Sequence, residues 1–231
     1  MVITHHGGQC FKVTFGDLTL VFDPISKNGS LPAVRFGADI ALVSRDHPDM
    51  NGIDEVTYGD PSNPLRAGKI PFAITGPGEY ERGGVVIQGF LSHSGNFINT
   101  IYSVQLEDMT LVHLGALSDT ELSQEARESI DEIDVLFVPI GGSSTELGAG
   151  NSVLTPAKAH ELAVSLEPKI IVPMHWSGIG APKSLEAFLK EAGVSNESTG
   201  GGSASGGKVD KLTLKKKDLT GLEGSIMVIQ S

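Results

Sequence analysis

The sequence predicts an α/β protein in which two β-sheets are covered by helices, as a single domain spanning residues 1–231. Three observations support this prediction. Short runs of alternating apolar and polar residues dominate the first 115 positions, which is typical of antiparallel strands with one buried face. Strand-like and helix-like segments then alternate as far as Gly193. Strand-like sequence also follows residue 207, and no linker divides the chain before residue 196.

Two hairpins are predicted in the strand-rich part of the chain. Gly16 and Asp17 separate the runs CFKVTF and LTLVFD, and the segment EDM separates NTIYSVQL from TLVHL. The apolar run DIALVS lies between the hairpins and ends in a polar turn. The segment GPGEYERGG, which follows KIPFAIT and precedes VVIQGF, favours a turn before any catalytic role.

Helix-start signals appear in the later part of the chain. Ser118 and Glu121 have the spacing of a capping box, which predicts a helix over about residues 119–130. Thr155 followed by Pro156 predicts the start of a second helix, and Gly193 predicts the end of a third. Two continuously apolar runs, VLFVPIGG and KIIVPMH, are predicted to be buried strands. The Gly/Ser-rich segment 196–207 is interpreted as a flexible loop.

Charge and composition narrow the classes of partner. The net charge of −11 repels phosphate backbones, and the basic run KLTLKKKDL is interpreted as a solvated strand and turn, so nucleic acid is not expected as a partner. No apolar run reaches the roughly 18 residues of a membrane span, and no signal peptide is recognisable. Cys10, the single cysteine, cannot form an intrachain disulfide. These features favour a cytoplasmic protein without a membrane partner.

Polar side chains at strand ends indicate a shared site. His47 and Asp49 follow DIALVS, His93 follows VVIQGF, and His175 ends IIVPMH. Imidazole and carboxylate groups are suitable ligands for zinc, manganese or iron. Because α/β folds place their chemistry where buried strands end, these three strand ends predict a metal or catalytic site.

Six segments occur together in an order that points to a known family. They are THHGGQCFKV, LVSRDHPDMNG, GPGEYERGGVVIQGF, SHSGNFINTIY, VHLGALSD, and VLFVPIGG followed by LTPAKAHELAVSLEPKIIVPMHW. The chain resembles the metallo-β-lactamase superfamily, in the branch of small cytoplasmic metal-dependent hydrolases that includes ascorbate-lactonase-like proteins. The resemblance implies a four-layer αββα sandwich, in which two face-to-face sheets have helices outside and metal ions at one edge.

The same resemblance implies a reduced metal site. Proteins of this family bind two metal ions about 3.5–4 Å apart, through ligands at seven positions. Four of those positions keep a ligand, namely His47, Asp49, His93 and His175, whereas three are replaced, namely by Arg45, Met50 and Ala116. Neither half of the site reaches the usual three protein ligands of a catalytic zinc. The expected cofactor is one divalent ion, zinc or manganese, gathered by the four retained residues, with a metal-free site as the alternative.

Arg45 is the replacement with the largest chemical consequence. A guanidinium cannot coordinate a metal, but it can supply the positive charge of a missing ion, pair with Asp49 or bind a small anionic molecule. The alternative is that Arg45 turns outward into solvent. The resemblance also places His6 near the active site, where it would orient a substrate. Asp49, Arg45 and His6 are therefore the candidate catalytic residues.

Three functions follow from this pattern. The first is a non-catalytic protein that binds an anion through Arg45, and such a protein can also form homo-oligomers. The second is a mononuclear metal-dependent hydrolase of a lactone, ester or phosphodiester. The third is a nuclease, which the charge of −11 and the missing ligands disfavour.

Overall fold

The computed structural model describes residues 1–59, 68–142, 152–194 and 207–231. Within these ranges the three α-helices are α1 (Gln124–Ser129), α2 (Pro156–Ser165) and α3 (Ser184–Glu191). The strands in the same ranges are β1 (Val2–His5), β2 (Phe11–Phe15), β3 (Leu18–Phe22), β4 (Ile40–Leu42), β5 (Phe72–Ile74), β6 (Gly78–Arg82), β7 (Val85–Ser94), β8 (Phe97–Leu106), β9 (Met109–His113), β10 (Val135–Pro139), β11 (Ile170–Met174), β12 (Gly207–Val209), β13 (Leu212–Thr213) and β14 (Ser225–Ile229).

The strands form two sheets, as the sequence predicts. One sheet has the order β13-β1-β2-β3-β4-β5, and the other has the order β12-β14-β11-β10-β9-β8-β7-β6. Both predicted hairpins are confirmed, since Phe15 pairs with Leu18 across the first turn and Leu106 pairs with Met109 across the second. The α/β class with two sheets is therefore confirmed.

The main apolar core lies between the two sheets. Its largest members are buried aromatic side chains, with the Phe11 and Phe137 ring centroids 4.7 Å apart. The imidazole of His113 stacks on Phe22 at 4.7 Å and extends the cluster towards one edge of the sandwich. Tyr102 in the larger sheet donates its hydroxyl to the carbonyl oxygens of Val43 and Ile74, which follow and end strands of the smaller sheet. This side chain therefore joins the two sheets through their backbones.

The two outer faces are covered differently. Helices α1, α2 and α3 pack on the larger sheet through a second apolar cluster that includes Ala126, Leu162 and Phe188. The smaller sheet is covered by the segment 24–39 and a single 3-10 turn, Ile53–Val56. That segment contains Pro24, Pro32, Gly29 and Gly37, which disfavour a long helix. Among the described residues, the α-helices of the expected four-layer sandwich thus pack on the larger sheet.

A predicted helix start is confirmed where the capping side chain makes no other tertiary hydrogen bond. Thr155 caps α2 and Pro156 is its first residue, as predicted. The first helix is shorter than predicted and begins after Ser123, whose hydroxyl accepts a bond from the Ala126 amide. The hydroxyl of Ser118 instead donates to the carbonyl of His93 and accepts from the Gly95 amide, so it is not available as a cap.

The structure does not test two of the sequence predictions. Residues 196–206 of the predicted Gly/Ser-rich loop lie outside the described residues, and Gly207 begins β12. The single-domain assignment for residues 1–231 stays a prediction. Within the described ranges, none of the helices has the length and apolar character required to cross a membrane.

We expect Tyr102→Phe to lower the free energy of unfolding by about 1–2 kcal/mol, because it leaves two buried carbonyl groups with one partner fewer. Urea denaturation measures this change. Tyr80→Phe is the matched control, since its partly exposed hydroxyl also bonds to two carbonyls, and we expect an effect below about 0.5 kcal/mol there. Equal effects of the two substitutions would contradict the bridging role.

Candidate active site at the strand-end edge

The candidate site lies where parallel strands of both sheets end. Strands β9, β10 and β11 run parallel in the larger sheet, as do β3, β4 and β5 in the smaller one. Their carboxyl ends therefore meet at one edge of the sandwich. The residues delivered there include Asp23 after β3, Arg45 after β4, Ala116 after β9 and His175 after β11.

Arg45 points into this edge and not into solvent. The residue is only 7% exposed, its guanidinium donates to the Ser94 hydroxyl at 3.1 Å, and its central carbon lies 4.2 Å from the Phe97 ring centroid. Burial lowers the pKa of Arg45, yet a guanidinium remains charged at physiological pH. The site therefore carries a permanent positive charge supported by a hydroxyl and an aromatic face.

Two buried hydrogen bonds fix the backbone that presents Arg45. Asp23 accepts from both the amide and the hydroxyl of Ser44, each at 2.7 Å. The carbonyl of Ser44 in turn accepts from the Thr100 amide of the opposite sheet at 2.8 Å. Burial raises the pKa of Asp23 to about 7, although the two bonds from Ser44 oppose this shift.

The carboxylate of Asp49 is hydrogen-bonded to a neighbouring loop. One carboxylate oxygen accepts from the amides of Ser30 at 2.6 Å and Leu31 at 3.1 Å, and the other accepts from the Ser30 hydroxyl at 2.7 Å. A side chain at Gly29 would collide with this carboxylate, so glycine permits the close approach. Asp49 thus holds the segment that follows Ser26 against the strand-end edge, and it does not pair with Arg45 in the contacts described here.

His47 uses one ring nitrogen within its own turn. Its Nδ1 accepts a bond from the Asp49 amide at 3.2 Å and lies 3.7 Å from an Asp49 carboxylate oxygen. Burial lowers the pKa of His47, the charge of Asp49 opposes this, and Arg45 adds to it. Because Nδ1 is the acceptor, the neutral ring carries its hydrogen on Nε2.

His175 is buried with a fixed ring orientation. It is 1% exposed, has a positive φ of 61°, and its amide donates to the carbonyl of Gly8 at 2.8 Å. The Gln9 side-chain nitrogen lies 2.9 Å from its Nδ1, whereas its Nε2 is buried and has no hydrogen-bond partner. Burial lowers the pKa of His175 to about 3, with the charge of Asp49 opposing, so the ring is neutral at pH 7.

An apolar cluster fills the region of two replaced ligand positions. Met50 and Ala116 are both buried and pack together with Val153. The backbone of Ala116 is held by the buried side chain of Asn99, which accepts its amide at 2.7 Å. These side chains offer a thioether and aliphatic groups where a metal centre would require imidazole or carboxylate.

The structure does not bring two of the predicted site residues, His93 and His6, into contact with Arg45 or His175. His93 is exposed, and the following residue, Ser94, is the one that points inward to Arg45, because successive residues of a strand face opposite sides. His6 lies beyond the end of β1, where its ring contacts Thr4 and Phe36. Three residues that no sequence pattern indicated contact His175 or Arg45, namely Gln9, Ser94 and Phe97.

The described residues do not fit a metal centre of this fold. Across residues 1–59, 68–142, 152–194 and 207–231, no three His, Cys, Asp or Glu side chains come close enough together to hold an ion. Asp49 already accepts three hydrogen bonds, and Nδ1 of His47 is also engaged. The mononuclear site expected from His47, Asp49, His93 and His175 is therefore not assembled.

A separate groove of about 1130 Å³ contains none of these residues. It lies along α2, β11 and the segment 216–224, and Lys169 and Lys216 are in its wall. Both lysines bond to the buried carboxylate of Asp134, at 2.6 and 2.8 Å. This pairing gives them a structural function, so we place the candidate site at the strand-end edge and not in the groove.

Comparison with known proteins identifies relatives of similar length. The family model described as "Beta-lactamase superfamily domain" matches residues 2–175. A UPF0173 metal-dependent hydrolase from Methanoculleus marisnigri is 27% identical over 226 residues, covering 82% of this chain and 88% of the relative. A UPF0173 protein from Pyrococcus abyssi is 23% identical over 203 residues, covering 83% and 90%.

Solved structures agree in fold. A Thermotoga maritima protein of the metallo-β-lactamase superfamily, whose name proposes Zn-dependent hydrolase activity, superposes with a TM-score of 0.68 at 25% identity and covers 99% of both chains. Igni18, a metallo hydrolase from Ignicoccus hospitalis, superposes with a TM-score of 0.59 at 18% identity, covering 83% of this chain and 90% of its own. The second similarity supports the fold alone.

We expect the contribution of Asp23 to stability to be lost as the pH rises from about 4 to about 7, because folding raises the pKa of this residue from 3.8 to about 7. Buried histidines with a lowered pKa, such as His113 and His175, contribute with the opposite sign, so the Asp23 part is read from the comparison with a variant. In this window the folded state keeps a proton that the unfolded state releases. The contribution is about 1.4 kcal/mol per pH unit at most. Urea denaturation at several pH values measures it.

The matched variant is Asp23→Asn, which mimics the protonated carboxyl. Its amide oxygen can accept from the Ser44 amide, and its amide nitrogen can donate to the Ser44 hydroxyl. We expect this variant to lose the Asp23 part of the pH dependence. An unchanged pH slope in the variant would show that Asp23 ionises in the folded state as it does in the unfolded one.

Proposed function

This chain belongs to the beta-lactamase superfamily, and we propose that it hydrolyses a small ester, lactone or phosphodiester that carries an anionic group. The observation that carries the proposal is the matched domain itself, whose curated relatives are named metal-dependent hydrolases. The reacting group would bind at the strand-end edge, next to Arg45 and His175.

Substrate binding is the first task of the cluster. The guanidinium of Arg45 presents planar N–H donors that suit a carboxylate or phosphate, and burial strengthens such a contact. Phe97 and Ser94 hold the guanidinium in place. We propose that Arg45 binds the anionic group and that a small anionic molecule is the partner of this protein.

Stabilisation of negative charge is the second task. Hydrolysis of an ester or phosphodiester places charge on the oxygen atoms of the reacting group, and fixed N–H donors stabilise that charge. The buried Nε2 of His175, which has no protein partner, is suited to this role. The names of the relatives imply a metal ion, but the described residues do not fit one.

Anion binding without turnover is the second candidate function. The commitment of Asp49 to Ser30 and Leu31 favours it, because that carboxylate is then not positioned as a general base. The two candidates share the same bound ligand and differ only in whether a bond is broken. A single screen therefore separates them.

We expect the purified protein to hydrolyse some members of a panel of anionic lactones, carboxylate-bearing esters and phosphodiesters. For any substrate found, Arg45→Gln should raise KM by about 10–100-fold, because it removes a charge-assisted contact. Arg45→Lys keeps the charge and loses the planar fork, so an intermediate effect is expected. Steady-state kinetics measures these changes.

Lys217→Gln is the matched control for net charge, since it removes one positive charge in the distant groove and should leave kcat/KM unchanged. Anion binding in the absence of any turnover across the panel would favour the second candidate. Turnover that is unaffected by Arg45→Gln would contradict the proposed anchoring role.

A further inference from the structure

We propose that the strand-end site recognises the oxygen atoms of a carboxylate or phosphate through imidazole N–H groups, and that Gln9 sets the tautomer of His175 that makes this possible. The inference names the ligand class of the site in the proposed function and rests on that proposal for the link to hydrolysis. Ligand binding itself can be measured without turnover.

The tautomer of His175 follows from its contact with Gln9. The side-chain nitrogen of Gln9 lies 2.9 Å from Nδ1 of His175, and in this orientation of the amide it donates, because an amide nitrogen has hydrogens and no lone pair to offer. The Oε1 atom of the same amide is buried without a hydrogen-bond partner. The hydrogen of the neutral ring then lies on Nε2. That atom is buried without a hydrogen-bond partner, although a buried polar group is normally paired. An acceptor oxygen from a ligand would complete this arrangement.

Gln9 is held in place by hydrogen bonds to two strand ends. The residue is 1% exposed, and its backbone carbonyl lies 3.1 Å from Nε2 of His113, the inward-facing histidine at the end of β9. The Gly115 amide donates to the other nitrogen of the His113 ring, so His113 donates to Gln9 through Nε2. The preceding residue, Gly8, accepts the amide of His175. The turn that carries Gln9 is thus bonded both to β9 and to the strand end that carries His175.

His47 has the same tautomer as His175. Its Nδ1 accepts the Asp49 amide, a backbone donor that cannot be reversed, so the neutral ring also carries its hydrogen on Nε2. Arg45 and His47 follow β4 and His175 follows β11, so all three residues are delivered to the strand-end edge of the sandwich. A guanidinium and two imidazole N–H groups are therefore found at the edge where a metal centre would need lone pairs.

These hydrogen bonds explain why the donor set favours an anion over a dication. A histidine ligand uses a nitrogen lone pair, and its other nitrogen normally donates to a carbonyl or carboxylate. At His175 that relation is inverted, because Nδ1 accepts from an amide. Met50, Ala116 and Val153 add no donor atom that a hard ion prefers.

The test uses the wild-type protein and two variants of Gln9 at neutral pH. Gln9→Glu replaces the amide donor with a carboxylate that accepts from Nδ1–H, which moves the ring hydrogen of His175 away from Nε2. Gln9→Met has a similar length and neither donates nor accepts. Nitrogen-15 NMR of the imidazole rings reports the tautomer directly, and His175→Gln assigns the signals of that ring.

Binding is measured by titration with inorganic phosphate and, separately, with acetate. Trp176, the one tryptophan of the chain, follows His175 and provides the fluorescence signal. We expect the Nε2–H tautomer in the wild type and a phosphate affinity that is lowered about 10–100-fold in Gln9→Glu. Gln9→Met should weaken binding less, because it adds no negative charge. Thermal unfolding verifies that each variant is folded.

Zinc titration tests the expectation that the wild-type site does not bind a dication. We expect no stoichiometric zinc on the wild type by elemental mass spectrometry after dialysis against excess metal, and tighter zinc binding in Gln9→Glu than in Gln9→Met. An Nδ1–H tautomer in the wild type, absence of phosphate and acetate binding, or equal phosphate affinity in wild type and Gln9→Glu would each overturn the inference. Anion binding without turnover would refute only the proposed hydrolysis.

Discussion

The site depends on one electrostatic constraint, which is that Arg45 keeps its charge although it is almost fully buried. A buried charge without compensation destabilises a fold by several kcal/mol. The Ser94 hydroxyl and the Phe97 ring reduce that penalty. Ser44, which donates to Asp23 and accepts from the Thr100 amide, fixes where the charge lies. At an effective dielectric constant near 20, each unit of positive charge within about 4 Å of Arg45 would be repelled by roughly 4 kcal/mol. Dications are therefore disfavoured beside it, and anions are favoured.

Asp49 and His47 illustrate how residues of a metal-binding signature can have other structural functions. The carboxylate of Asp49 closes a loop through three bonds from Ser30 and Leu31, and hydrogen bonds to a charged acceptor are among the stronger ones in proteins. His47 accepts the amide of Asp49 and so stabilises the same turn. Neither residue needs an ion to satisfy its buried polar atoms. Residue type and spacing therefore do not distinguish a ligand from a side chain that holds a loop.

The sequence predicted the two sheets, both hairpins and the edge at which strands end, because these follow from local apolar patterns and turn residues. It did not predict which side chains meet at that edge. His93 and Ser94 differ by one position, and the strand register decides which of the two faces Arg45. Gln9 and His175 are separated by 166 positions, so their contact is visible only after the chain has folded. The first helix was placed too early because Ser118 makes tertiary bonds instead of a cap.

The three replaced ligand positions are coupled to the hydrogen bonds around them. Exchange of Arg45, Met50 and Ala116 for imidazole and carboxylate groups would supply ligands, but it would leave Asp49 bonded to Ser30 and Leu31. It would also leave Nδ1 of His47 and Nδ1 of His175 as acceptors. Groups that share partners in this way are non-additive, since the effect of one depends on the state of the others. The chemistry of this edge is thus set by supporting residues such as Gln9 and Ser30 as much as by the side chains that face the ligand.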